Sequence, residues 1–138
     1  MTIIVCVDDR GGMLFNSRRV SSDRIVTGKV LEIAGSAKLR IKPYSAKLFA
    51  NPAELYIAED YLSAADCGDV CFAEEQLSPD DLRRASRVIV FHWNRSYPSD
   101  VKFPLEQLRR MAEPESVTEF KGNSHERITQ EVYVLSKN

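Results

Sequence analysis

A carboxylate at the start of a helical pattern is the first group in this chain placed to do chemistry: Asp23 follows Ser21 and Ser22 and precedes an amphipathic stretch. A partly buried acid in such a place can accept two parallel hydrogen bonds from an amidine-like edge. Its plainer role is electrostatic, because the helix dipole favours acids in a first turn. Arg18, Arg19 and Arg24 crowd the same stretch and could hold an anion or bridge to Asp23, although exposed arginines more often lie solvated. A second cluster, His92-Trp93-Asn94-Arg95 with Tyr97, ends an apolar run. It could stack a planar ring, or Trp93 and Tyr97 could simply pack on a neighbouring loop while Arg95 stays at the surface. Cys67 and Cys71 invite a metal reading with His92, yet structural zinc usually takes four ligands from close pairs, so a loop thiol and a core thiol explain them better. Ser124-His125-Glu126 holds a hydroxyl, a base and an acid. Adjacent residues rarely converge as nucleophilic catalysis requires, which leaves a turn between strands.

Whatever these groups do, one core must position them. The chain has 138 residues, 43% hydrophobic and 28% charged, which suits a single compact domain over residues 1–138. Its 19 basic and 20 acidic residues nearly cancel, so no global field draws it to nucleic acid or an anionic membrane. Apolar runs fall well short of the roughly 20 residues that span a bilayer, and the opening run lacks the flanks of a secretion signal, which points to the cytoplasm. Three cysteines, with Cys6 inside an apolar run, argue against a disulfide framework.

The elements follow from local pattern. Ile3 to Val7 is apolar without alternation, as in a strand covered on both faces. Residues 22 to 34 read as a helix capped by Ser21 or Ser22 and stopped by Gly35, with Val26, Val30, Ile33 and Ala34 on one face and Gly28 offering close packing. Leu39 to Ile41 is a brief strand, Ser45 to Phe49 a helical turn or two ending before Pro52, and Leu55 to Ile57 another strand. Val70 to Phe72 suits a short buried strand. Ser78-Pro79-Asp80-Asp81 starts a helix carrying Leu82 and Ala85, and Val88 to Trp93 forms a central strand. Past Pro104, a helix over Leu105 to Met111 precedes two strands, Ser116 to Phe120 and Glu131 to Leu135, that could pair antiparallel across Gly122 and Asn123. Alternating strands and helices closed by two consecutive strands describe an α/β domain with a mixed sheet flanked by helices.

Read in order, these segments resemble dihydrofolate reductase. The resemblance is carried by Ile3 to Val7 with Asp8-Asp9-Arg10-Gly11-Gly12, Asn16 and Asp23; by Ala65 to Phe72 with Arg87 to Phe91; by Asp100-Val101-Lys102-Phe103-Pro104; and by Phe120, Asn123-Ser124-His125 and Glu131 to Leu135. It implies a mobile loop after the first strand, and it puts Asp23 where the family's acid binds the pterin and assists protonation during hydride transfer. The departures bear on the coenzyme. The family places glycines after the strand equivalent to Val70 to Phe72, so that bare backbone approaches dinucleotide phosphates. This chain has Ala73-Glu74-Glu75-Gln76 there, and Lys42-Pro43-Tyr44-Ser45 where the family has a Gly-Arg pair. A glutamate about 5 Å from a phosphate charge repels it by roughly 3 kcal/mol at an effective dielectric near 20. The chain is also some twenty residues short of a typical member, roughly where the arginine that grips the substrate's carboxylate tail is expected. The chain resembles, too, short bacterial proteins with the same Val-Asp-Asp, Arg-Arg, Trp-Asn-Arg-x-Tyr-Pro-Ser-Asp and Ser-His-Glu elements, some of which carry the name ribonuclease Z. That activity needs a dense His and Asp cluster for two zinc ions, and this chain has two histidines, His92 and His125.

The sequence thus favours a reductase-like scaffold without cofactor, a pseudoenzyme that binds a small molecule or a protein, with Asp23, Asn16, Arg19, Tyr44, Trp93 and Arg95 as candidate ligand contacts. The alternatives are an NADPH-dependent reductase of a pteridine-like molecule, and an RNA-binding protein that uses Arg18, Arg19, Arg24 and the Trp93 cluster. The near-neutral charge argues against the last.

Overall fold

The computed structural model describes residues 1–49 and 55–135. Among the described residues ten strands run in chain order: β1 (Thr2–Val7), β2 (Gly12–Phe15), β3 (Arg18–Arg19), β4 (Leu39–Ile41), β5 (Leu55–Ile57), β6 (Val70–Phe72), β7 (Arg87–His92), β8 (Val101–Lys102), β9 (Pro114–Phe120) and β10 (Ile128–Val134). Between them lie α1 (Arg24–Ala34), α2 (Pro79–Arg84), α3 (Leu105–Met111) and a 3-10 helix over Pro43–Leu48. That short helix starts two residues earlier than expected, at Pro43, and ends at Leu48, ahead of Pro52.

Seven strands form a mixed sheet in the order β5-β4-β6-β1-β7-β10-β9. The first five are parallel; β10 runs antiparallel to β7 and β9 antiparallel to β10, the expected closing pair. The unbroken apolar character of β1 follows from cover on both faces. Ile3, Val5 and Val7 join Leu82, Val90 and Leu108 in one buried cluster, and Ile4 joins Val26, Val30 and Phe91 in the other. Helix α1 covers the second face. The capping box of Ser78 and Asp81 starts α2 as its sequence predicts.

Three expectations change. Asp23 itself, not Ser21 or Ser22, is the N-cap of α1, with extended backbone and a carboxylate that accepts from the Ile25 amide. Gly28 offers no close packing, because a Cβ built there meets nothing within 4 Å. The stretch expected as a loop after β1 is largely a hairpin: β2 and β3 pair across Asn16 and Ser17, both at positive φ as a tight hairpin turn requires, and β8 completes a three-stranded sheet. These strands of two to four residues carry too little alternation to be read from sequence.

Candidate functional site

The carboxyl ends of β4, β6, β1 and β7 lie side by side, where open α/β sheets form their ligand crevice. Chain leaving β6 passes through Ala73 to Glu74, whose carboxylate is clamped on three sides. Arg19 reaches it through Nε at 2.7 Å and Nη2 at 3.0 Å, and Ser45 Oγ donates at 2.7 Å. Arg19 in turn lies 4.5 Å over the Tyr44 ring, and its backbone N–H donates to the Tyr44 hydroxyl at 2.9 Å. The fork geometry and the stacked ring explain why an arginine serves here. The bond to Glu74 raises the proton affinity of Arg19 although burial opposes it. Next along the chain, Glu75 accepts from the Tyr61 hydroxyl at 2.5 Å and lies 3.7 Å from Lys42 Nζ. Burial first, then Glu75, pushes the Tyr61 phenol well up.

These residues wall an open cleft of about 650 Å³ between the small sheet and the end of β6. Asn16, Lys42, Tyr44, Glu74, Glu75 and Asp100 line it, and Asn16 is fixed there by its backbone N–H, which donates to Asp100 at 3.0 Å. Three carboxylates face one lysine among those six residues.

Asp23 is not in that cleft. Its side chain is fully buried, and its oxygens accept from the amides of Ile25, Asn123 and Ser124 at 2.9 Å each, from Ser124 Oγ at 3.3 Å, and lie 2.9 Å from His125 Nδ1. Burial alone would raise its pKa, but the amides of Asn123 and Ser124, the His125 ring and the Ile25 amide outweigh it and hold the carboxyl well below the usual range. His125 stacks on Trp93 with ring centroids 4.6 Å apart, and its Nε2 lies 2.9 Å from Ser21 Oγ. The six residues singled out in the sequence therefore divide into three places. Asn16 and Tyr44 line the cleft with Arg19 held against Tyr44 and Glu74, Asp23 and Trp93 meet around His125, and Arg95 lies exposed, with Nη2 3.4 Å from the Ser124 carbonyl. Sequence reasoning missed Ser45 as a partner of Glu74, His125 as a partner of Asp23 and Ser21 as a partner of His125; over 100 residues of chain separate His125 from Asp23, and no local motif joins them.

The cysteines are free. Cys6 is half-buried, Cys67 exposed and Cys71 buried, and burial pushes the Cys71 thiol up to about 11. Among the described residues no group of three or more His, Cys, Asp or Glu could hold a metal ion, and no helix is long and apolar enough to cross a membrane.

In structure the chain is similar to dihydrofolate reductase from Enterococcus faecalis, solved in complex with NADP(H) and RAB-propyl. The TM-score is 0.72 at 12% identity, and the match covers 99% of this chain and 96% of that one. At that identity the likeness shows the fold, a dihydrofolate reductase-like mixed sheet flanked by helices. No family model matches the sequence and no curated protein matches it.

Proposed function

We propose that this chain is a ligand- or partner-binding domain on a reductase-like scaffold and does not carry out nicotinamide-dependent reduction. One observation carries the reading: the turn after β6, where the resemblance expects glycines against a pyrophosphate, is filled by Glu74, and its carboxylate is already satisfied by Arg19 and Ser45. The obstacle is occupancy more than charge, because Arg19 neutralises Glu74 and Lys42 stands near Glu75. A pyrophosphate would have to break a bidentate arginine pair, and the residues present do not fit it. The acid that the resemblance assigns to the pterin, Asp23, has its oxygens turned to protein donors. What remains is the cleft of about 650 Å³, within the size range of small-molecule sites. With Glu74 and Glu75 each beside a cation, its lining is polar more than charged, and Asp100 is left as the carboxylate able to accept from a ligand's donors. The nucleic-acid reading loses support because Arg19, one of its four arginines, is spent on Glu74.

Thermal unfolding tests this. A ligand at 100 times its dissociation constant adds about 2.7 kcal/mol, so a bound coenzyme at millimolar concentration shifts the midpoint by several degrees. We expect no shift with NADPH and no oxidation of NADPH by the pure protein with dihydrofolate. A clear shift, or steady oxidation, ends the proposal.

A further inference from the structure

We propose that Ser21, His125 and Asp23 form a hydrolytic relay, with Ser21 the nucleophile toward esters of small acyl groups. This goes beyond the binding reading and does not rest on it. The three side chains are in series: Asp23 Oδ2 to His125 Nδ1 at 2.9 Å, then His125 Nε2 to Ser21 Oγ at 2.9 Å. The proton positions follow from the partners. Asp23, held ionised by its amide donors, can only accept, so His125 carries its proton on Nδ1. In the neutral ring Nε2 is then an acceptor and the Ser21 hydroxyl at 2.9 Å donates to it, which is the arrangement that activates a serine. The Tyr97 hydroxyl, 3.5 Å from Ser21 Oγ, donates from another side. Stacking on Trp93 and burial of His125 fix the ring plane, so the base is held rather than free to rotate.

A second, independent observation marks the place. The indole Nε1 of Trp93 is buried with no hydrogen-bond partner among the described residues, an uncommon state for so polar a group. Trp93 and the half-buried Ser21 share one narrow cleft with Cys6, Thr27 and Leu48. Its free volume is about 10 Å³, room for about one water. An unpartnered N–H on a residue that lines the same cleft as the hydroxyl, with the Arg19-paired Glu74 also in that lining, is the donor a developing oxyanion would draw on. No acyl group fits a space of that size, so the substrate carbonyl must reach Ser21 Oγ from the solvent side, beside exposed Ser22, where a small acyl group meets the least obstruction.

The reaction balances without a cofactor. Ser21 Oγ bonds to the carbonyl carbon and its proton passes to His125 Nε2; the carbon–oxygen bond to the alcohol breaks, and the alcohol leaves with that proton. Water then attacks the acyl-serine, giving a proton to Nε2, and Ser21 takes it back as the acid departs. Asp23 positions the ring and touches no substrate.

The test is p-nitrophenyl acetate with the full chain, following nitrophenolate release and mapping the acetyl group by peptide mass. We expect the acetyl on Ser21, and release at least about tenfold slower in Ser21→Ala, a substitution that removes one half-buried hydroxyl. Acetyl groups found only on lysines or the amino terminus would overturn the proposal, and so would Ser21→Ala releasing nitrophenolate at the parent rate. Should Ser21→Ala fail to fold, the position of the acetyl on the parent protein still decides. Coenzyme binding is a separate readout, so failure of one proposal is not failure of the other.

Discussion

Asp23 is buried with five donors directed at two oxygens, and those donors come from α1 and from the chain between β9 and β10. A carboxylate in that setting stabilises by satisfying amides that burial has cut off from water, and each such group left unsatisfied costs about 1–3 kcal/mol. Asp23→Asn keeps the shape but puts an NH₂ against some of those donors. We expect it to lower the unfolding free energy by about 3 kcal/mol, measured by urea denaturation; an unchanged midpoint would mean the acid is not the anchor its geometry describes. The importance of Asp23 was legible in the sequence through its place before the helix. Its partners were not, because what brings His125 and Ser124 to it is the return of the chain through β9 and β10, a tertiary event with no local signature. The same holds for Glu74, visible in sequence as a residue where glycine was expected, whereas its clamp by Arg19 and Ser45 depends on the β2–β3 hairpin folding over β6.

At the level of elements, strong local rules read true, down to the three-residue strands β4, β5 and β6, and the small sheet did not. Apolar β1 and β7, the capping box of α2, the glycine stop of α1 and the boundaries of α3 all follow from residue pattern. The small sheet of β2, β3 and β8 escaped because its strands are too short to show alternation: only Met13 and Leu14 of β2 reach the core, and pairing and the Asn16-Ser17 turn hold the rest. Two glycines separate backbone effects from packing effects. Gly28 lies inside α1 with open space where a Cβ would go, so Gly28→Ala removes conformational freedom from the unfolded chain at no steric cost and should stabilise by about 1 kcal/mol. Gly122 is the opposite case: a Cβ there would lie 2.5 Å from Asp23 Oδ2 and 2.7 Å from Ile128 Cδ1. Gly122→Ala should destabilise by about 2–3 kcal/mol, since the obstacle is a fixed buried carboxylate rather than a flexible chain end. Thermal melts of both variants check the pair, and movement in the same direction would contradict the packing described for one of them.

Across the whole molecule, two buried carboxylates join segments far apart in the chain. Asp23 ties α1 to residues 123–125, and Asp8, at the end of β1, accepts from the amides of Arg10, Gly12 and Tyr97 at 2.7–2.9 Å. Burial pushes the Asp8 carboxyl up, but the three amides and the charge of Arg10 outweigh it, so both acids are held below the ordinary carboxylate value. The sign of the pH effect follows. A proton binds these groups more weakly in the folded state than in the unfolded state, so in acid the unfolded chain takes up more protons and stability rises with pH. Their contribution is fully present above the ordinary carboxylate pKa of about 4 and is lost as pH falls below it toward the folded-state values. The melting temperature should therefore fall between about pH 5 and pH 2.5, and Asp8→Asn and Asp23→Asn should each start lower and show a shallower fall over that window. Should both variants lose as many degrees as the parent, the acid sensitivity resides in other carboxylates, and these two would not be the joints that hold the loops to the sheet.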